Sequence, residues 1–510
     1  MFASIPSACT VGYDSILVDV QVDVSAGFPS YTIVGLPDAA IQEARERVRS
    51  AMKQSHLTFP DIRITVHLAP GDRRKEGAGF DLPMALGIAI ASHAIKPVGD
   101  IPLCLGELGL DGTVLPVAGA LSMTLLAKQL GYKAVVVPQA NAAEAALVPN
   151  ITIYSAPTLL AVTEHCAGKT LLPIQPYQIP KAVSKQSVAE LSAIKGHAVI
   201  KRALAVAAAG RHNTLLYGPP GSGKTILAKA LRHLLPPLTV NEMLEVTRLY
   251  SVAGLLSAQQ PYIADRPFRQ PHHTASAASI IGGGRVPRPG EISLSHHGVL
   301  FFDELPEFPR AVLEALRQPL EEQQVTVARV EQVITYPAAP LFIGSLNPCP
   351  CGFYGDPEQD CRCTPVQIQK YHKKLSGPFL DRMDIFCYVP RLAFDTLVGH
   401  QPMDTADTLQ AAVLLATQRQ QHRFRQTNII ANAYIPHAAL EKYCPINEES
   451  VIMLRQAMQV MHLSPRSFHH IIRLARTIAD IADSPDIGVS HVSEALQYRR
   501  PPLQHTHPST

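Results

Sequence analysis

The strongest constraint on this chain is one stretch of eight residues. Gly218-Pro219-Pro220-Gly221-Ser222-Gly223-Lys224-Thr225 fills every fixed position of the pattern G-x-x-x-x-G-K-[ST]. The apolar run Thr214–Tyr217 precedes it, and the helix-forming segment Ile226–Leu231 follows. Glycine lets the backbone curl so that successive N–H groups converge on one oxyanion, and the start of the following helix adds a positive dipole end. Lys224 is then placed to reach the β- and γ-phosphates, and the Thr225 hydroxyl to ligate Mg²⁺. A strand–loop–helix unit of this kind implies an α/β domain that binds a nucleoside triphosphate.

A chain of 510 residues exceeds what one core supports, so two to four domains are expected. Hydrophobic residues make up 46% and charged residues 17%, the balance of a soluble globular protein. No apolar run approaches the length of a membrane span, and Met1-Phe2-Ala3-Ser4-Ile5-Pro6 lacks the features of a secretion signal. Nine cysteines without such a signal point to the cytoplasm and to reduced thiols. With a net charge of +3, any surface for nucleic acid must be local.

Residues 1–168 alternate short strands and helices. Ser15–Val24 and Asp61–Leu68 have the period of half-buried strands, Ala39–Lys53 reads as a charged helix, and Pro83–Ala94 as a buried one. Ala134–Val137 reads as a buried strand. Residues 169–189 contain a Pro-, Gln- and Lys-rich stretch without period and are expected to form a linker. The nucleotide-binding core is placed at 190–390. An all-helical lid follows at 391–500, with helices near 405–425, 436–442, 447–462, 465–482 and 490–499. Residues 501–510 read as a disordered tail.

Gly298–Phe302 is an apolar run ending in Asp303 and Glu304. In a doubly wound sheet such acids emerge at the carboxyl edge, beside the phosphate loop. Asp303 then suits Mg²⁺, and Glu304 suits deprotonating a water. A second apolar run, Pro340–Leu346, ends in Asn347, whose amide suits the attacking water or the γ-phosphate. The plainer alternatives are a solvated strand end for the acids and a turn former before Pro348 for the amide.

Together these features resemble the AAA+ superfamily, with Asn347 in the place of sensor 1. Pro267–Thr274, Pro287–Leu294 and Ser376–Asp384 resemble signatures of its magnesium-chelatase-like branch. Gly35-Leu36-Pro37-Asp38 and Gly79-Phe80-Asp81-Leu82-Pro83 are similar to the YifB/ComM family within that branch, a resemblance running from Gly12 to Arg499. It implies a Lon-protease-like N-terminal α/β domain, a AAA+ core and a C-terminal all-α lid. Arg382 takes the place of the arginine finger, projecting toward a neighbour's γ-phosphate, and Arg466 that of sensor 2. The plainer readings are an ion pair with Asp381 or Asp384 for Arg382 and a solvated first-turn residue for Arg466. Ile194–His197 resembles the segment lining the adenine pocket, with His197 where Gln is usual. The implied function is an ATP-dependent DNA helicase, a homohexameric ring promoting branch migration while single-stranded DNA is integrated in natural transformation. The rivals are a magnesium-chelatase motor subunit, disfavoured by the extra N-terminal domain, and a protein-remodelling ATPase without DNA.

Cys349, Cys351, Cys361 and Cys363 form a C-x-C-x₉-C-x-C pattern that four thiolates of a structural Zn²⁺ would satisfy. The tight C-x-C spacing leaves reduced thiols and a redox switch as alternatives. The pattern reads as an inserted knuckle near the ring surface. The pairs His272-His273, His296-His297 and His469-His470 invite a metal reading, but adjacent side chains on a strand point to opposite faces and no third ligand has suitable spacing. Local hydrogen bonds, or a substrate contact for the first pair, are therefore expected. Gly106–Val117 resembles part of the Lon peptidase domain. The serine–lysine dyad is missing, since Ala78-Gly79-Phe80-Asp81 stands where a nucleophile is needed and no lysine lies between Pro116 and Lys128. For a DNA backbone the candidates are Arg285 and Arg288 in a Gly-rich loop and Arg329 in the hairpin-like run Val325–Ile334.

Overall fold

Alternation along the first strands decides how the amino-terminal domain closes. Phe2–Val11, Asp14–Ser25, Arg63–Ala69 and Ser30–Val34 pair in that order, the first three antiparallel and the last parallel to its neighbour. Val18, Val20, Val22 and Val24 face inward, where the helix Asp81–Ala91 covers them. Ten of that helix's eleven residues are buried, as its nearly unbroken apolar sequence requires. Asp81 at its start is buried too, and its carboxylate is forked by Arg47 at 2.6 and 3.1 Å. A second sheet, in the order Ile174–Gln175, Thr152–Ala156, Ala134–Pro138, Leu103–Cys104, completes the domain. The structure, a computed structural model, describes residues 1–179, 189–192, 194–284, 287–328, 333–392, 406–461 and 463–499.

The linker expected over 169–189 differs at its start. Ile174–Gln175 pairs antiparallel with Thr152–Ala156, and the Gln178 amide donates to Ala146 O at 3.1 Å, so backbone pairing overrides the Pro-rich composition there. Residues 180–188 and the tail 501–510 lie outside the described residues.

The core is a five-stranded parallel sheet in the order Phe268–Arg269, Val299–Phe302, Leu341–Leu346, Thr214–Tyr217, Ile385–Tyr388. Both faces are covered, which is why its strands read as continuous apolar runs. Successive residues still go to opposite sides. Leu216, Phe301, Ile343 and Ile385 meet the helix Ala198–Gly210 and the carboxyl-terminal helices, whereas Leu215, Phe302, Phe342 and Phe386 meet a second cluster around Phe379 and Tyr336.

The lid helices run Ala406–Phe424, Glu448–Val460, Pro465–Ile481 and Val489–Gln497, with a short turn at Leu440–Tyr443. Asp480 fixes the third of these. It is 1% exposed and accepts from Arg423 Nη1 at 2.8 Å, Asn432 Nδ2 at 2.8 Å and Arg476 Nε at 3.2 Å. A buried carboxylate so fully partnered sets the helix's position, because leaving it unpaired is costly.

The first domain is docked on the core helix Val240–Val252. Arg248 donates to Asp14 Oδ1 at 2.8 Å and Ser122 Oγ at 2.9 Å and stacks 4.0 Å from the Tyr13 ring centre. Ser251 donates to buried Glu144, which also accepts from Leu121 N at 2.9 Å and Asn141 Nδ2 at 3.1 Å. At Gly12 a Cβ would lie 2.0 Å from Ile334, so the Gln324–Ala328/Val333–Pro337 hairpin packs directly under the first domain. No helix among the described residues is long and apolar enough to cross a membrane.

Candidate functional site

The phosphate loop leaves the strand Thr214–Tyr217 and enters the helix Lys224–Leu231. Its glycines serve two needs. A Cβ on Gly218 would lie 2.2 Å from Val389 O, so that position must stay bare. Gly221 and Gly223 have φ of +77° and +89° with nothing within 4 Å of a Cβ, so backbone conformation and not crowding selects glycine there. The space above them is open to a ligand. Lys224 is 8% exposed, and its ammonium donates to Gly218 O and Pro219 O, both at 2.8 Å. Burial lowers it to about 8, against the pull of Asp303 and Glu304.

Thr225 Oγ1 donates to Asp303 Oδ2 at 2.9 Å. The other Asp303 oxygen accepts from Ser345 Oγ, which in turn accepts from the Glu304 amide at 3.2 Å. One serine therefore ties the acidic strand end to the strand Leu341–Leu346. Glu304 is left-handed, with φ of 52°, a sparsely populated conformation for a side-chain-bearing residue that turns it beyond the strand end. Asn347 follows Leu346, the register partner of Tyr217, and so emerges beside Gly218. Gly344 pairs with Phe302 on the other side, which puts Asn347 between the loop and the acids. The apolar composition of Leu341–Leu346 hides Ser345 from sequence reasoning, and a hydroxyl inside a buried run was the signal.

Arg382 and Arg466 meet on one carboxylate. Arg382 Nη2 pairs with Glu321 Oε2 and its Nη1 donates to Pro378 O at 3.1 Å, while Arg466 Nη2 donates to Glu321 Oε1 at 2.9 Å. Burial raises the Glu321 carboxyl, but the two guanidinium groups outweigh it and hold the group below its ordinary range. The convergence has a local cause. Asp384, two residues after Arg382, is paired with His470, four residues after Arg466, and accepts from Asn213 N at 3.1 Å. Both arginines border a cavity of about 460 Å³ that no phosphate-loop residue lines.

The four cysteines converge as well. Sγ–Sγ separations are 3.3 Å for Cys349–Cys351 and 3.6 Å for both Cys349–Cys361 and Cys351–Cys361, and the Cys351 amide donates to Cys363 Sγ at 3.4 Å. All four sulfurs lie within 4.8 Å of one another. Four sulfurs at the zinc–sulfur distance of about 2.3 Å form a tetrahedron with edges of about 3.8 Å, close to these values.

Arg288 lies in the two-residue strand Arg288–Pro289, paired with Gly282–Gly283, and borders a cavity of about 340 Å³ shared with Arg74 of the first domain. Arg285 and Arg329 lie outside the described residues. His296 and His297 do not point apart. Both rings, 3.8 Å between centres, reach Glu245 Oε2, at 3.2 and 2.8 Å, so the fold supplies the third potential ligand that sequence spacing did not offer. A left-handed His297, φ 57°, turns the pair out of the alternation expected of a strand. His197, also left-handed, starts the helix Ala198–Gly210.

Three family models match the chain: "Magnesium chelatase, subunit ChlI" over residues 190–397, "Subunit ChlI of Mg-chelatase" over 20–141, and "Magnesium chelatase, subunit ChlI C-terminal" over 403–499. Competence protein ComM of Haemophilus influenzae is 39% identical over 504 residues, 98% of this chain and 97% of that protein. The uncharacterized protein YifB of Escherichia coli is 39% identical over 498 residues, 96% and 95% of the two chains. A Lon protease of Geobacter metallireducens is 28% identical over 149 residues, 27% of this chain and 18% of that protein. With its phosphate loop, its parallel core and this near full-length similarity, the chain belongs to the ComM/YifB family of magnesium-chelatase-like AAA+ proteins.

Proposed function

We propose that the chain is an ATP-hydrolysing DNA motor that works as a homohexameric ring and promotes branch migration while incoming single-stranded DNA is integrated during transformation. The observation that carries hydrolysis is the Thr225–Asp303–Ser345–Glu304 network at one sheet edge, beside Asn347. What carries the process is similarity to a competence protein over 98% of the chain.

In this reading the loop amides hold the triphosphate, and Lys224 turns from two backbone carbonyls onto the β- and γ-phosphates. Thr225 and Asp303 are the residues that would hold Mg²⁺. The donor set fits, a hydroxyl and a carboxylate already in contact, and the ion supplies charge neutralisation on the phosphates. Glu304 takes the proton of a water that Asn347 orients. The water oxygen bonds to the γ-phosphorus as the bond to the β,γ-bridging oxygen breaks, giving ADP and phosphate. Arg382 stabilises charge at the neighbour's γ-phosphate as the arginine finger, and Arg466 takes the sensor 2 role; the cavity both border has no phosphate-loop residue in its lining. Arg285, Arg288 and Arg329 contact the DNA backbone. Cys349, Cys351, Cys361 and Cys363 hold a structural Zn²⁺.

ATPase activity should rise when single-stranded or branched DNA is added, with strand movement on branched substrates. An ATPase indifferent to DNA, with no strand movement, would contradict the motor. The chelatase-subunit family models favour a second reading, a motor that loads Mg²⁺ into a porphyrin. An ATPase that responds to a porphyrin-binding partner and not to DNA would select it.

A further inference from the structure

The segment between the two cysteine pairs forms one wall of a large cavity at the mouth of the phosphate loop. That cavity, about 870 Å³, is bordered by Pro219 of the loop, by Val199 in the first turn of Ala198–Gly210, by Tyr388 at a strand end and by Tyr498 of the last lid helix's exit. The remaining side is Tyr354 to Glu358, inside the C-x-C-x₉-C-x-C segment. Its apolar, tyrosine-rich lining beside the triphosphate cradle suits a purine base. The structure packs this segment against the phosphate loop.

Three contacts make that packing specific. Gly352, φ +87°, lies so close that a Cβ there would be 2.5 Å from Pro220 Cδ. Asp356 pairs with Arg391 at 3.5 Å, and the Arg391 guanidinium lies 5.3 Å from the Phe353 ring centre. His372 Nε2 donates to Pro348 O at 2.7 Å, pinning the entry to the segment. Residues 351–364 carry no helix or strand, and within 350–364 only Gly352 is buried. A polar, irregular segment of this kind has little core of its own, so whatever fixes the four sulfurs fixes the wall.

We infer that the cysteine knuckle is a metal-held wall of the nucleotide-base pocket, so that metal occupancy of Cys349, Cys351, Cys361 and Cys363 sets the affinity for purine nucleotide. The inference rests on the zinc reading proposed above. Loss of the ion frees Tyr354–Glu358 and withdraws Gly352 from Pro220, which loosens both the base wall and the phosphate loop.

The test uses the full chain, its zinc content measured by mass spectrometry and its affinity for a fluorescent ATP analogue by titration. The expected result is one zinc per chain, an affinity that falls at least about tenfold when a mercurial and chelator strip the metal, and recovery when zinc is returned. Gly352→Val probes the wall without touching a ligand. It should keep the zinc yet lose affinity by a similar factor, because a side chain there must push the knuckle off Pro220. A chain that neither contains nor takes up zinc under reducing conditions would overturn the zinc reading and the coupling with it. Zinc bound at one per chain, with affinity unchanged on stripping and in Gly352→Val, would overturn the coupling alone.

Discussion

Arg382 and Arg466 are 84 residues apart in sequence and grip the two oxygens of the same carboxylate, Glu321. The Asp384–His470 pair just behind them brings the sheet end and the lid helix together, so the two guanidinium groups form one cationic face. If a neighbouring subunit's phosphate docks on this face, as the proposed ring requires, it must displace Glu321 from both. Its side chain is 50% exposed, so the clamp is worth no more than about 1 kcal/mol.

Glu321→Ala should therefore ease assembly without harming the site. The protein concentration that gives half-maximal ATPase should fall about fivefold, the equivalent of about 1 kcal/mol. ATPase measured over a dilution series reads this directly. An unchanged or higher half-maximal concentration would mean that Glu321 does not mask the arginines.

Glu304→Gln removes the proposed base while keeping shape. Hydrolysis should drop by about 10²- to 10⁴-fold with ATP binding retained, and rings should accumulate in the presence of ATP on a sizing column. Hydrolysis surviving this change would move the base elsewhere.

Ser345→Ala leaves one Asp303 oxygen and the Glu304 amide without their shared partner. The cost in stability should be about 1–3 kcal/mol, read as a lower denaturation midpoint. The Mg²⁺ concentration needed for half-maximal ATPase should rise several-fold as Asp303 loses its orientation. A variant with wild-type Mg²⁺ dependence would show that Ser345 only fills space.

The core also carries an acid-sensitive pair. Burial opposes ionisation of Glu242, but Arg266 and Arg211 outweigh it and bring the carboxyl down to about 2. A carboxylate lowered in the folded state stabilises fully above its ordinary range near 4.5, and that stability is lost as pH falls from there toward 2. The lowering corresponds to about 3 kcal/mol at neutral pH. Glu242→Gln should be destabilised at pH 7 and show a flatter stability profile between pH 5 and 3. Urea denaturation at both ends measures it, and parallel profiles would contradict the assignment.

Legibility followed chemistry more than topology. Gly218–Thr225, Asp303, Glu304 and Asn347 stood out in the sequence as a loop pattern and polar residues following apolar runs, and the sheet brings those strand ends together. The lid helices were readable from period; the strand Ile174–Gln175 was not, because its partner lies about twenty residues earlier and Pro-rich composition masks it. Glu321 and the Gly352–Pro220 contact were invisible for the same reason, and Ser345 left only a hydroxyl inside a buried run. Each acts on a group distant in sequence, and nothing local marks the pairing. The His296–His297 alternation failed because one left-handed residue reverses a side chain's direction.

The most direct measurement mixes two inactive proteins. Arg382→Ala lacks the proposed finger but keeps its phosphate loop, and Lys224→Ala lacks the loop lysine but keeps Arg382. If a neighbour completes each site, equal mixing before assembly should restore ATPase to about a quarter of the wild-type rate, since about one interface in four then pairs an intact loop with an intact arginine. A mixture no more active than the sum of its two components would contradict a site shared between subunits.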